Sequence, residues 1–175
     1  MSFVLSDALR QRFDREVAKY PADQKQSAVM ACLSIVQQVQ GWVSADSEKV
    51  VADYLGMPPI AVREVTTFYN MYNQEPVGKF KLNVCTNLPC QLRGGQKALE
   101  HLCSRLGVEM GGTSADGAFT VQQSECLGAC ADAPVMLVND RTMCSFMDND
   151  KLDQLVDGLR SAHSAAHPDA KAEAQ

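Results

Sequence analysis

This sequence of 175 residues has no long apolar run, no excess of basic residues and only three histidines. No stretch approaches the roughly 18 apolar residues of a transmembrane helix, so we expect no direct membrane insertion. The formal net charge is −5, which argues against nucleic acid as a partner because phosphate binding relies on clustered Lys and Arg. The three histidines are His101, His163 and His167.

Residues 1–30 also lack the features of a secretory signal, namely a basic start, an apolar run and a small-residue cleavage site. We therefore expect a reducing compartment, where free thiols persist and structural disulfides are rare. The chain has seven cysteines, and clustered cysteines in such a compartment more often bind metal. Cys32, Cys103 and Cys144 lie in apolar helical or strand-like patterns, so we expect them to pack as small hydrophobic side chains.

The other four cysteines form two pairs, with four residues between Cys85 and Cys90 and three between Cys126 and Cys130. Thiolates select zinc or iron-sulfur clusters over hard ions such as magnesium. Zinc knuckles use short spacings around one ion, whereas the ligand loops of a two-iron cluster wrap a larger object. Both spacings are wider than C-x2-C, which favours a two-iron cluster and leaves zinc as the alternative. No histidine stands beside either pair, which argues against a Rieske cluster.

The first 75 residues show a helical period of apolar residues. This pattern predicts four helices, at about 6–20, 29–41, 47–56 and 59–69, with Ser47 as the cap of the third. The third and fourth helices have the spacing of a helix-turn-helix. However, residues 41–75 contain two basic and five acidic residues, so we expect a structural or protein-docking helix pair and no DNA binding.

After Gly78 the apolar period changes to two, which is typical of strands. We predict strands at 80–84 and 119–121, a hairpin of 135–138 with 142–146, and helices at about 95–106 and 149–159. Both cysteine pairs then follow strand ends. The prediction is an α+β protein with a helical N-terminal domain at 1–76, a second domain at 77–160 and a disordered tail at 161–175.

Three segments carry a resemblance to a known family. C-T-N-L-P-C at 85–90 and E-C-L-G-A-C-A-D-A-P at 125–134 closely resemble the thioredoxin-like 2Fe-2S ferredoxins. V-R-E-V-T-T-F-Y at 62–69 is similar to the members that serve NADH:quinone oxidoreductase. The resemblance covers about residues 3–160 and implies an N-terminal helical bundle followed by a thioredoxin-like α/β domain with a mixed four-stranded sheet. Pro134 resembles the cis-proline of such folds, although X-Pro bonds are trans by default.

The resemblance also implies a function and a site. It implies that Cys85, Cys90, Cys126 and Cys130 bind one 2Fe-2S cluster. It implies a one-electron carrier subunit of an oxidoreductase complex, whose partner subunit binds NADH and FMN. No G-x-G-x-x-G follows a strand in this chain, so we expect no NADH binding by the chain itself.

Other expectations concern the parent complex. The implied location is the cytoplasm, peripheral at the cytoplasmic face of the inner membrane through the complex. An equivalent diaphorase subunit of an NAD-linked hydrogenase or formate dehydrogenase is the alternative. A zinc-stabilised docking module is a more remote one.

Overall fold

The computed structural model describes residues 3–166 of the chain, with side chains up to Ala162. Contacts between residues divide the chain into two compact units, with the division between Pro76 and Val77. The first unit is helical. The second contains all the strands of the described residues.

Four helices form the first unit, and a 3-10 segment at Ala22–Ala28 joins the first two. They are α1 at Asp7–Val17, α2 at Val29–Gln40, α3 at Ala45–Leu55 and α4 at Pro59–Phe68. Gly41 and Gly56 end α2 and α3 in the left-handed conformation, which glycine adopts without a steric penalty. The apolar stripes of the helices meet in one core, whose fully buried side chains include Phe13, Leu33, Val36, Val51 and Val62.

The start of α3 differs from the prediction. Ser44, and not Ser47, is the N-cap, because its backbone is extended and its side-chain oxygen accepts the Ser47 N–H at 3.2 Å. Ser47 lies inside the first turn, where its buried hydroxyl donates to the Ser44 carbonyl at 2.8 Å. The prediction of Ser47 as the cap is therefore wrong.

A mixed four-stranded sheet forms the centre of the second unit, as predicted, in the order β2-β1-β3-β4. Its strands are β1 at Phe80–Cys85, β2 at Phe119–Ser124, β3 at Met136–Val138 and β4 at Thr142–Cys144. β1 is parallel to β2 and antiparallel to β3, and β3 and β4 form the predicted hairpin. The parallel pair is possible because a helical crossover connects its strands.

Three helices accompany the sheet: α5 at Leu88–Leu92, α6 at Gly95–Leu106 and α7 at Asn149–Ala166. Apolar residues of α6 and α7 pack with those of the strands, including Leu82, Leu102, Phe119, Met136 and Leu152. The sequence pattern did not predict α5, which is only five residues long. α7 continues to Ala166, beyond its predicted end near residue 159 and into the predicted tail. Residues 167–175 of that tail lie outside the described residues.

Candidate metal centre

The two cysteine pairs start from neighbouring strand ends. Cys85 is the last residue of β1, and it is in register with Ser124, the last residue of the parallel strand β2. Because the carboxyl ends of parallel strands meet at one edge of a sheet, the loops that follow them lie close together. Cys90 lies within α5, after β1, and Cys126 and Cys130 lie after β2, the latter at the start of a 3-10 turn.

The second pair has the geometry of two ligands of one metal. The Sγ atoms of Cys126 and Cys130 are 3.7 Å apart. Two thiolate sulfurs that each lie about 2.3 Å from one tetrahedral metal are about 3.8 Å apart. The N–H of Gly128 points at Cys126 Sγ at 3.4 Å, which places a hydrogen-bond donor at that sulfur.

The first pair is close in space as well, and it is buried. Burial, and then a hydrogen bond with the Cys85 side chain, raise the pKa of the Cys90 thiol above its ordinary value. A hydrogen bond with Cys126 and partial burial raise the pKa of Cys130. Negative charge at Cys85 is a lesser cause of the raised pKa values of both Cys90 and Cys130.

The grouping of the four cysteines into two pairs bears on the metal that they could hold. Residues 3–166 contain no group of three or more Cys, His, Asp or Glu side chains arranged around one ion position. A structural zinc site has four ligands around one ion, whereas a two-iron cluster has two terminal ligands at each iron. The two pairs, Cys85 with Cys90 and Cys126 with Cys130, match the two terminal ligands that each iron of such a cluster takes.

The surroundings of the sulfurs differ from one pair to the other. Cys85 and Cys90 are each 1% exposed and pack with Ala133 and Val135, whereas Cys126 is exposed. The peptide bond before Pro134 is cis. Cys85 and Cys90 thus lie in an apolar environment, whereas Cys126 lies at the protein surface and Cys130 is half-buried.

The start of α6 packs unusually close to the first pair. A Cβ placed on Gly95 would lie 2.6 Å from the Cys85 carbonyl oxygen and 3.0 Å from the Cys90 carbonyl carbon. Only glycine fits there without a shift of the backbone at Cys85 or Cys90. The sequence pattern indicates only a helix start at Gly95, so this role was not predicted, although its position five residues after Cys90 was a usable signal.

The remaining three cysteines lie apart from this site and pack as expected. Cys32 is fully buried in the core of the first unit, and burial raises its pKa to about 12. Cys103 and Cys144 pack against the core of the second unit, where burial also raises their pKa values.

Known proteins are similar to this chain in both sequence and fold. Residues 13–160 match the family described as thioredoxin-like 2Fe-2S ferredoxin. The chain belongs to this family. Its cofactor is a 2Fe-2S cluster, and family membership favours the iron-sulfur prediction over the zinc alternative.

Two relatives are named as subunits of NADH-quinone oxidoreductases. The chain is 39% identical to one such subunit from Rhizobium meliloti over 88% of its own length and 90% of that protein. It is 38% identical to another, from Thermus thermophilus, over 82% of its own length and 80% of that protein.

Among solved structures, an NAD+-reducing NiFe-hydrogenase in the air-oxidized state has the same fold. The TM-score is 0.65 with 21% identity, and the match covers 77% of this chain and 23% of the hydrogenase chain. Separately, none of the helices in the described part of the chain has the length and apolar character needed to cross a membrane.

Proposed function

We propose that Cys85, Cys90, Cys126 and Cys130 ligate one 2Fe-2S cluster, and that the chain is the one-electron carrier subunit of an NADH:quinone oxidoreductase. The observation that carries this proposal is the pairing of the cysteines, with the Sγ atoms of Cys126 and Cys130 3.7 Å apart and Cys85 and Cys90 buried together in one hydrophobic cluster. When bound, such a cluster accepts and releases one electron at a time.

The residues of the chain supply the environment. Ala133 and Val135 pack against the buried pair, Cys85 and Cys90, and lower the local polarity there. The Gly128 N–H donates to Cys126 Sγ, a contact that stabilises negative charge on that sulfur. Cys85 and Cys90 are thus shielded from water, while Cys126 lies at the surface.

The partner is the flavin- and NADH-binding subunit of the same complex. NADH delivers two electrons as hydride, and a flavin divides them into single electrons for an iron-sulfur centre. The names of the relatives support this assignment, because they are subunits of NADH-quinone oxidoreductases. The location that follows is peripheral, at the cytoplasmic face of the inner membrane through the complex.

An apolar rim beside the site is the surface proposed for this partner. Leu88 and Leu92 are 63% and 79% exposed, and they lie on α5 on either side of the buried Cys90. Exposed leucines that flank a redox site suit a subunit interface, because their burial against a partner is favourable. A partner docked there would bring its own cofactor toward the cluster, and electron transfer weakens steeply with distance.

Metal analysis of the purified full-length chain tests the ligation. We expect about two irons and two acid-labile sulfides per chain, and an S = 1/2 EPR signal after dithionite reduction. Substitution by serine of any one of the four proposed ligands should reduce the cluster content or alter the EPR signal. These ligands are Cys85, Cys90, Cys126 and Cys130. Serine at Cys103 or Cys144 is the matched control and should do neither. Stoichiometric zinc without sulfide would contradict the proposal.

Copurification tests the partner. The chain, tagged and expressed at its native level in its own organism, should retain a protein that contains FMN and oxidises NADH. Quinone reduction by that assembly supports the respiratory assignment. Recovery with a hydrogenase or a formate dehydrogenase, but without quinone reduction, would favour the diaphorase alternative. The likeness to the NAD+-reducing hydrogenase, at 21% identity, shows the fold alone.

A further inference from the structure

The hydroxyl of the residue that follows Cys85 has no hydrogen-bond partner. The Oγ1 atom of Thr86 is buried and unpaired, and Thr86 directly follows Cys85. The backbone N–H of Thr86 donates to the Ser124 carbonyl at 3.2 Å, so the residue is held between the two strand ends from which the ligand loops start. An unpaired buried hydroxyl costs roughly 1–3 kcal/mol, so a partner is expected in the loaded protein.

The chemistry of the unpaired atoms leaves two that could donate a hydrogen bond to a cluster. Within the described residues, four buried side-chain atoms lack a partner: Gln40 Oε1, Asn83 Oδ1, Thr86 Oγ1 and Arg160 Nε. The amide oxygens of Gln40 and Asn83 accept hydrogen bonds, and the sulfurs of a cluster are also acceptors, so a cluster does not satisfy them. A hydroxyl and a guanidinium N–H both donate.

Position separates these two donors. The guanidinium of Arg160 lies 5.4 Å from the centre of the Phe119 ring, and Phe119 is the first residue of β2. The backbone N–H of Thr86 is hydrogen-bonded to the carbonyl of Ser124, the last residue of the same strand. Five residue steps of a strand span about 16 Å. Thr86 is therefore the unpaired donor at the cysteine end of the sheet.

We propose that the Thr86 hydroxyl donates a hydrogen bond to a sulfur of the 2Fe-2S cluster and thereby raises the reduction potential of the cluster. This inference rests on the proposed ligation by the four cysteines. Reduction adds negative charge to the cluster, so a donated hydrogen bond stabilises the reduced form more than the oxidised form. Thr86 acts through the sulfurs as a tuning residue and is not a ligand.

An EPR-monitored redox titration of the full-length chain tests the proposal. Thr86→Val keeps the shape of the side chain and removes the donor, whereas Thr86→Ser keeps the donor and removes the methyl group. We expect Thr86→Val to lower the equilibrium constant of one-electron reduction about tenfold, which is about 59 mV in midpoint potential. Thr86→Ser should stay within about twofold of the wild type.

A second pair of variants covers the case in which valine prevents cluster assembly. Thr86→Ala differs from Thr86→Ser by the hydroxyl alone. The midpoint potential of Thr86→Ala should therefore lie below that of Thr86→Ser by the amount expected for Thr86→Val. Resonance Raman spectra in H2O and D2O give an independent signature. Exchange of the hydroxyl proton should shift an Fe–S stretching band in the wild type and in Thr86→Ser, and shift it less in Thr86→Ala.

Two results would overturn the inference. Equal potentials in the Ser and Ala variants would mean that the hydroxyl bonds to water or to a backbone carbonyl. A decrease in midpoint potential in Thr86→Ser as large as that in Thr86→Val would mean that packing of the methyl group sets the potential. Iron and sulfide analysis separates these failures from failure of the proposed function. A full cluster with an unchanged potential removes only the role of Thr86, whereas a wild-type chain without sulfide removes both.

Discussion

Lys81 Nζ lies 2.5 Å from Asp140 Oδ2, and this ion pair joins the central strand β1 to the turn between β3 and β4. The Lys81 side chain is 3% exposed, whereas that of Asp140 is 29% exposed. The side-chain amide of Asn83 also donates to Asp140. Lys81 and Asn83 alternate along β1 with the core residues Leu82 and Val84, so a buried polar face lies opposite the apolar one. Asp140 compensates the buried charge on that face.

Removal of this carboxylate should destabilise the protein. We expect Asp140→Ala to lower the free energy of unfolding by about 3 kcal/mol, the lower end of the range for a buried pair, because Asp140 is partly exposed. Chemical denaturation of the full-length chain measures it. Asp157→Ala is the control, since its pair with Arg105 at 2.9 Å is exposed and should contribute less than about 1 kcal/mol. Equal effects of the two substitutions would contradict the structural role of Asp140.

Gly95→Ala should impair cluster assembly. The new Cβ would lie 2.6 Å from the Cys85 carbonyl oxygen, and backbone atoms of a ligand loop cannot move aside cheaply. We expect the iron and sulfide content per chain to fall by at least half, with a lower midpoint of thermal unfolding. Gly158→Ala is the matched control, because Gly158 lies within α7 with open space around its Cβ position. That substitution should stabilise by about 0.5–1 kcal/mol and leave cluster content unchanged. Full cluster content in Gly95→Ala would show that the ligand loop tolerates the shift.

In the first unit, Glu48→Ala should loosen the contact between α3 and α4. Glu48 is 4% exposed, and its carboxylate accepts hydrogen bonds from Thr66 at 2.5 Å and Arg63 at 3.2 Å. Loss of hydrogen bonds to a charged group should cost about 2 kcal/mol of unfolding free energy. Glu64→Ala changes an exposed carboxylate of α4 and should remain within about 0.5 kcal/mol of the wild type. A cost for Glu48→Ala no larger than that of its control would contradict this account.

Charge on the apolar rim should weaken the complex and spare the cluster. We expect Leu88→Glu with Leu92→Glu to raise the dissociation constant for the flavin-containing partner at least tenfold, because two leucines would no longer be buried favourably there. Titration of the purified partner measures this change, and EPR verifies the cluster. Met110→Glu is the control, since Met110 is an exposed apolar residue outside α5. Unchanged affinity in the double variant would place the docking surface elsewhere.

Much of the secondary structure was predictable because its signals are local. Apolar periods of about 3.6 and 2 indicated α1 to α4, α6, α7 and the four strands, and glycines indicated the ends of α2 and α3. Short elements were not predictable, because α5 at Leu88–Leu92 and the 3-10 segment at Ala22–Ala28 are too short to show a period. The cap of α3 was misplaced by three residues because Ser44 and Ser47 are equally suitable by residue type.

The amino-acid sequence alone indicates the chemistry of the proposed site: four thiols in two spaced pairs, each pair after a predicted strand, with no histidine beside either pair. Which groups surround those thiols depends on the folded chain. The parallel pairing of β1 with β2 joins residues almost 40 positions apart, and such pairing depends on packing of the whole unit and leaves no local signal. The same packing buries Lys81 against Asp140, sets α6 against the ligand backbone at Gly95 and leaves the Thr86 hydroxyl unpaired beside Cys85. Composition and spacing therefore predict what can bind, and long-range packing determines the environment in which it is held.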